Sequence, residues 1–214
     1  MKGHRRYDTK KLLCQQAADG RRRTGTGSSC AAQEGAGSMR TVRVNVLPYD
    51  RVWKSAFEDI RREIEQAAGE WLVGVEHVGS TSVEGMSAKP CIDLDAVIPS
   101  YEVFGEVAAR LAMIGYEHEG DLGIPGREAF RYQDKPHLMT HHLYVCPQDS
   151  AELHRHVAFR DYLRSHPEAA AWYSRVKEEA ARLYPNDIDG YMAYKAPCIG
   201  EIFAMMQAEG SEAE

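Results

Sequence analysis

Hydrophobic and polar residues follow two different spacings along this chain, and the change between them predicts an α+β fold. Up to about residue 148, short stretches alternate with the period of two that is typical of strands, and they are separated by stretches with helical spacing. After Pro147, helical spacing continues to about residue 207. The pattern predicts a mixed β-sheet flanked by two helices, followed by a helical C-terminal portion.

The predicted elements can be assigned to residue ranges. Strand-like stretches cover residues 41–47, 71–78, 92–98, 116–119, 128–133 and 138–146. Helix-like stretches cover residues 51–68, 101–113, 151–165, 167–184 and 189–207. Asp50, Ser100 and Ser150 stand where helix N-caps are expected, and Pro197 is expected to kink or divide the last helix. The glycine-rich stretch 120–127 is expected to be a flexible loop that faces a substrate.

The ends of the chain differ from its middle. Residues 1–38 contain the run Arg21-Arg22-Arg23 and no sustained apolar periodicity, so we interpret them as a disordered leader or extension. The alternative is a basic arm that binds nucleic acid or lipid. Residues 39–148 are predicted to form the α/β core, residues 149–207 the helical portion of the same domain, and residues 208–214 a disordered tail.

Charge and cysteine content exclude several classes of protein. Residues 1–38 hold eight of the 26 Lys and Arg residues and three of the 32 Asp and Glu residues, which leaves the rest of the chain with a net charge of −11. Such an acidic domain is a poor match for nucleic acid, so nucleotide or small-molecule ligands are the better expectation. The sequence has no apolar run near the roughly 20 residues that cross a bilayer. Scattered cysteines without a Cys-x-x-Cys pair predict reduced thiols in the cytoplasm.

Two carboxylates interrupt an otherwise apolar strand. Asp93 and Asp95 alternate with apolar residues at positions 92, 94, 96 and 98. Because strand side chains alternate between faces, both carboxylates are expected on one face and the apolar residues on the core face. Two acids about 7 Å apart fit shared Mg²⁺ ions, which take carboxylate oxygens and leave positions for water and phosphate. The alternative is a structural pair bound to Lys89 or Arg131.

The turn before this strand has the composition of a phosphate-binding site. Gly79 permits close approach of a ligand, successive backbone N–H groups can bind an anion, and Ser80 adds a hydroxyl donor. Strand parity places His142 and Tyr144 on the same face as the two aspartates, together with Arg131 from the preceding strand. Arg131 is a candidate phosphate partner because guanidinium groups bind phosphate through two N–H donors.

These motifs resemble a known family. The sequence HVGSTSVEGMSAKPCID at residues 77–93, HHLYVC at residues 141–146 and LHRHVAFRDYLRSHP at residues 153–167 are similar to the GrpB family of small bacterial proteins. The Gly79-Ser80 turn followed by Asp93-Leu94-Asp95 also resembles the polymerase-β-like nucleotidyltransferase superfamily. The resemblance covers roughly residues 40–207. GrpB proteins occur alone or fused to dephospho-CoA kinase, so the resemblance implies a fold more firmly than a reaction.

The superfamily resemblance implies roles for particular residues. Gly79, Ser80 and Thr81 are expected to bind the phosphates of a nucleoside triphosphate (NTP), helped by Lys89 and Arg131. Asp93 and Asp95 are expected to bind Mg²⁺. The superfamily places a third carboxylate on a later strand, where this chain has His142, which could bind metal or act as a general base. Glu76 is a conceivable substitute, and a zinc site of His77, His137 and His142 is an alternative without ligand-like spacing.

Three hypotheses about function follow. The first is a cytoplasmic, Mg²⁺-dependent nucleotidyltransferase that transfers a nucleotidyl group from an NTP to a small-molecule acceptor. The second is a non-catalytic nucleotide-binding or regulatory module, suggested by the missing third carboxylate. The third is a structural interaction protein, in which the aspartates bind no ligand.

Overall fold

A computed structural model of the chain describes residues 43–212, and these residues form a five-stranded mixed sheet with helices on both faces. The strands are β1 (Gly74–Val78), β2 (Ile92–Ile98), β3 (Tyr116–Gly120), β4 (Glu128–Tyr132) and β5 (His141–Pro147). Their spatial order is β1-β2-β5-β4-β3. Strands β2 and β5 run parallel, and the other neighbouring pairs are antiparallel. The predicted α+β architecture is confirmed.

Two helices cover the apolar face of the sheet. They are α1 (Val52–Ala68) and α2 (Phe104–Met113). The apolar positions of β2 are fully buried in one cluster with one side of each helix, including Ile60 and Ile64 of α1 and Leu111 of α2. Leu143 and Val145 of β5 join the same cluster. The prediction that the even-numbered residues of β2 face the core is therefore confirmed.

Three helices form the C-terminal portion on the opposite side. They are α3 (Ala151–Ser165), α4 (Pro167–Leu183) and α5 (Ile188–Glu212). Helix α3 contacts β1 and β5, while α4 and α5 pack against each other. Their shared core contains Leu163, Tyr173 and Ile202, and it also receives Val83 and Met86 from the loop after β1. This arrangement leaves space between the polar face of the sheet and the helices.

Helix starts agree with the predicted caps. The Ser150 hydroxyl accepts a hydrogen bond from the Leu153 backbone N–H, and the Ser100 hydroxyl accepts one from Glu102. Asp50 accepts a hydrogen bond from the backbone N–H of Val52. A short 3₁₀ turn separates Ser100 from α2. Polar caps satisfy N–H groups that a helix start otherwise leaves unpaired.

Several predicted boundaries differ from the structure. Among the described residues of the predicted 41–47 strand there is one isolated bridge, between Leu47 and Ala88, and residues 41 and 42 lie outside the described range. Trp71 belongs to a 3₁₀ turn, so β1 begins at Gly74. Helix α5 continues through Pro197 to Glu212, so residues 208–212 of the predicted tail are helical. Packing of α5 against α4 overrides the local preference of proline to end a helix.

Two further findings concern the whole chain. The predicted leader at residues 1–38 lies outside the described residues. Within the described part of the chain, none of the helices has the length and apolar character that a bilayer crossing requires.

Candidate ligand-binding site between the sheet and the C-terminal helices

A cavity of about 300 Å³ lies between the polar face of the sheet and helices α3, α4 and α5. Its floor is formed by the turn after β1, by Asp93 of β2 and by His142 and Tyr144 of β5. The loop between β3 and β4 closes one side with Leu122, Ile124 and Arg127, and the three helices close the other. Sequence reasoning expected this loop to face a substrate, and it lines the cavity.

The two aspartates leave the same face of β2 but have different surroundings. Asp93 lines the cavity, and its Oδ1 accepts a hydrogen bond of 2.9 Å from Nδ1 of His142. Asp95 is fully buried behind the cavity wall, and its Oδ2 accepts a hydrogen bond of 2.8 Å from Nδ1 of His156 on α3. The other oxygen of Asp95 has no hydrogen-bond partner among the described residues. Asp93 is therefore the carboxylate that can meet a ligand.

Both histidines are held as cations by these carboxylates. Burial alone would lower the pKa of His142, but its hydrogen bonds with Asp93 and Cys91 and their charges raise it to about 10. Burial also acts against the charge of His156, but Asp95 and Glu152 raise its pKa to about 9. The pKa of Asp93 is lowered despite burial, because His142, Lys89 and Lys195 stabilise its charge. At neutral pH the site therefore contains the ionised carboxylate of Asp93 and two imidazolium groups.

The turn at Gly79 depends on the absence of a side chain. Gly79 has a φ of 69° and a ψ of −175°, a conformation that is essentially restricted to glycine. A Cβ at this position would lie 2.9 Å from Cβ and 3.0 Å from Cγ of Asp93, and closer still to Oδ2. The following residues form a 3₁₀ turn, in which the Ser82 hydroxyl donates to the Gly79 carbonyl at 2.6 Å. Gly79, Ser80 and Thr81 all line the cavity, as the sequence suggested.

Cationic side chains dominate the polar part of the cavity walls. They are Lys89, Arg127, Lys177 and Lys195, together with Arg155, whose guanidinium is paired with Glu152. The guanidinium of Arg127 lies 4.2 Å from the ring centroid of Tyr144, and its Nε has no hydrogen-bond partner among the described residues. Among the described residues that line the cavity, Asp93 is the one carboxylate. The cavity therefore has the charge of a site for an anionic ligand.

Two residues considered from sequence lie elsewhere. Arg131 forms an ion pair with Glu117 on the neighbouring strand, its side chain is 54% exposed, and it does not line the cavity. Glu76 faces the same side as Asp95, but its carboxylate accepts a hydrogen bond of 2.6 Å from Arg160 of α3. Arg131 as a phosphate partner stays a prediction that this placement does not favour, since Arg127 has the better position.

Sequence reasoning missed three of the residues that the helices contribute. His156, Arg155 and Lys177 lie far along the chain from the Asp93 motif, and the packing of α3 and α4 brings them to it. A usable signal existed on α3, where Glu152, His156 and Arg160 recur at four-residue spacing and form a polar stripe on the inward side.

The side chains considered as zinc ligands and as Mg²⁺ ligands have different surroundings in the structure. Within residues 43–212, no group of three or more His, Cys, Asp or Glu side chains is placed to hold a metal ion. His137 pairs with Glu63 and His77 contacts Thr81, so the considered zinc set does not assemble. Asp93 has one oxygen that His142 does not bind, which fits a Mg²⁺ ion carried largely by ligand phosphates and water. Asp93, Asp95 and His142 as metal ligands stay predictions.

The comparison with known proteins decides the family. The family model described as GrpB protein matches residues 43–205. The chain belongs to the GrpB family. The crystal structure of conserved protein GrpB from Enterococcus faecalis is similar, with a TM-score of 0.65 and 34% identity over 75% of this chain and 98% of that chain.

Other GrpB relatives differ in length. The chain is 32% identical to the glutamate-rich protein GrpB of Alkalihalophilus pseudofirmus over 76% of this chain and 95% of that protein. It is also 32% identical to YqkA of Bacillus subtilis, over 72% of this chain but 44% of YqkA. The chain therefore spans less than half the length of YqkA, and the resemblance to GrpB predicted from sequence is confirmed.

Proposed function

We propose that this GrpB chain binds a nucleoside triphosphate in the cavity and transfers its nucleotidyl group to a small-molecule acceptor. The observation that carries the proposal is the charge of the cavity. Residues 39–214 have a net charge of −11, yet the cavity walls place lysines and arginines around the single carboxylate of Asp93 among the described lining residues. Such a local reversal of charge favours a polyanionic ligand.

The walls also suit the other parts of a nucleotide. Beside the charged residues lie aromatic and aliphatic side chains, including Phe159, Ile199 and Phe203. An apolar region next to a few charged groups is typical of small-molecule sites, which commonly have volumes of about 300–1,000 Å³. In this proposal the base and sugar contact the apolar region, and the phosphates contact the turn at Gly79.

Each residue near Asp93 has a proposed task. The backbone N–H groups of Gly79, Ser80 and Thr81 orient the phosphates, while Lys89 and Arg127 neutralise their charge. An acceptor hydroxyl attacks the α-phosphorus and gives its proton to solvent water, and pyrophosphate leaves with the electron pair of the broken P–O bond. His142, protonated at neutral pH, stabilises the phosphate charge and is not suited to remove the acceptor proton.

Magnesium is part of the proposal through Asp93. The carboxylate of Asp93 would hold a phosphate-bound Mg²⁺ ion, which when present supplies further charge neutralisation. Asp95 contributes indirectly in this account, because its bond with His156 fixes helix α3 against β2.

A second function has its own support. His142 stands at the strand position where nucleotidyltransferases resembling this chain place a third carboxylate, and Asp95 lies behind the cavity wall. These two features favour a non-catalytic nucleotide-binding or regulatory module. That function predicts NTP binding without release of pyrophosphate.

Isothermal titration with ATP, GTP, CTP and UTP tests the proposal, each in Mg²⁺ and in EDTA. We expect Asp93→Asn to weaken binding in Mg²⁺ but not in EDTA, because the substitution removes a metal ligand and also a charge that repels phosphate. Asp134→Asn, at an exposed position outside the cavity, is the control and should leave the nucleotide affinity unchanged both in Mg²⁺ and in EDTA. Absence of binding by the unmodified chain to all four nucleotides would remove the proposal.

Pyrophosphate release with a library of small acceptors separates the two functions. Release that needs both an acceptor and Asp93 supports transfer. Binding without release over a long incubation supports the regulatory module.

A further inference from the structure

Helices α4 and α5 each present a buried tyrosine and, four residues later, a lysine to the same cavity. The pairs are Tyr173 with Lys177 on α4 and Tyr191 with Lys195 on α5. The Nζ of Lys177 lies 4.5 Å from the ring centroid of Tyr173, and the Nζ of Lys195 lies 5.2 Å from that of Tyr191. A ring face stabilises a cation but leaves its N–H donors available.

Lys177 has no acceptor for these donors. The residue is 2% exposed, and its Nζ has no hydrogen-bond partner among the described residues. Burial and the charge of Lys195 hold the pKa of Lys177 well below its usual range. A buried amine without a hydrogen-bond partner is unfavourable, and an anion in the cavity would both accept its hydrogen bonds and favour its charged form.

The charges around Lys177 support the same conclusion. Lys195 and Lys89 both interact with Asp93, and Lys195 also acts on Lys177. Burial lowers the pKa of Lys195 to about 8, with Asp93 acting in the opposite direction. Among the described residues that line the cavity, one carboxylate therefore faces three lysines, while Glu178 acts on Lys177 from outside the lining. An anionic ligand would favour the charged form of these lysines.

We propose that Lys177 and Lys195 form a subsite for the terminal phosphate of a polyphosphate ligand. The proposal rests on the proposed function in taking that ligand to be a nucleoside triphosphate. The tail of the ligand extends from the Gly79 turn toward α4 and α5. The lysine pair then selects triphosphates over monophosphates, because a monophosphate that binds at the Gly79 turn does not reach it.

The test compares the affinities of ATP, AMP and inorganic tripolyphosphate for the unmodified chain, Lys177→Met and Lys195→Met. Methionine keeps an unbranched side chain of similar length without the charge. Lys54→Met, at an exposed position on α1 outside the cavity, is the matched control. We expect each cavity variant to lose about 10-fold or more of its affinity for ATP and tripolyphosphate, with AMP changed less than 3-fold, since charge-assisted hydrogen bonds are the strong ones.

A thermal-unfolding measurement without ligand provides a second readout. Lys177→Met should melt at the same or a higher temperature, because the substitution replaces a buried amine that has no hydrogen-bond partner by an apolar side chain. Lower stability of this variant without ligand would overturn the assignment of Lys177, since it would show that the amine already has a stabilising partner.

The outcomes separate this inference from the proposed function. Tripolyphosphate binding that depends on Lys177, without binding of any nucleotide, supports the subsite and contradicts the nucleotide function. ATP binding that is unchanged in both cavity variants contradicts the subsite and leaves the nucleotide function standing. An equal loss of AMP and ATP affinity also overturns the subsite, because it would show a general effect of charge.

Discussion

Replacing Gly79 by alanine tests whether the turn and Asp93 form one unit. The substitution places a methyl group in a conformation that costs non-glycine residues about 1–3 kcal/mol. The added Cβ also lies 2.9 Å from Cβ of Asp93, so the aspartate must move and its hydrogen bond with His142 is lost. Overpacking of this kind costs about 1–3 kcal/mol, and loss of the partly exposed hydrogen bond about 1 kcal/mol.

The expected total is a loss of about 3–7 kcal/mol in the free energy of unfolding, measured by urea denaturation. Gly85→Ala is the matched control, since Gly85 also has a positive φ, of 80°, but nothing within 4 Å of an added Cβ. Its cost should be about 1–2 kcal/mol, from the backbone alone. A double-mutant cycle with Asp93→Ala should show that Gly79→Ala costs less when the carboxylate is absent. Equal losses for the two glycines, or additive effects in the cycle, would refute this account.

Three further predictions concern the histidine core, helix α5 and the α3 network. Burial lowers the pKa of His141 to about 4, so on acidification the unfolded chain takes up this proton before the folded chain does. The free energy of unfolding should therefore fall by about 2 kcal/mol between pH 7 and pH 5. In urea denaturation the His141→Gln variant should lack this fall, and identical pH profiles of the two proteins would contradict the prediction. Pro197→Ala should raise the free energy of unfolding by up to about 3 kcal/mol, because alanine restores a helical N–H within α5. An unchanged or lower free energy of unfolding would show that the helix needs the proline. Arg160→Met should lower the free energy of unfolding more than Arg164→Met does. The Arg160 side chain is 10% exposed and pairs with Glu76, while the Arg164 side chain is 44% exposed. Equal denaturation midpoints would argue against a role for Arg160 in joining α3 to β1.

Strand parity predicted much of the sheet side of the candidate site. Alternation along β2 and β5 is a local property of the backbone, so the sequence alone placed Asp93, Asp95, His142 and Tyr144 on one face. The turn at Gly79 could also be predicted from sequence, because few residues other than glycine adopt its conformation. These features depend on residues within a few positions of one another.

The helical side of the site could not be predicted in the same way. Lys177 and His156 reach the cavity through the packing of α3, α4 and α5, and sequence spacing does not specify how those helices sit on the sheet. Arg131 illustrates a related limit. Strand parity predicts the face from which a side chain leaves but not its partner. The Arg131 guanidinium donates to Glu117 on the adjacent strand and does not reach the cavity.

The most direct test of the central claim compares Arg127→Met with Arg131→Met in ATP titration calorimetry. Arg127 is the last residue of the loop before β4, and it lines the cavity with an Nε that has no hydrogen-bond partner among the described residues. Arg131 lies on β4, is exposed and pairs with Glu117. If the cavity binds a nucleoside triphosphate, Arg127→Met should lose at least about 10-fold in affinity, because a charge-assisted hydrogen bond contributes about 1.5–3 kcal/mol, and Arg131→Met should bind as the unmodified chain does. Equal affinities of the two variants, or a loss confined to Arg131→Met, would contradict the account.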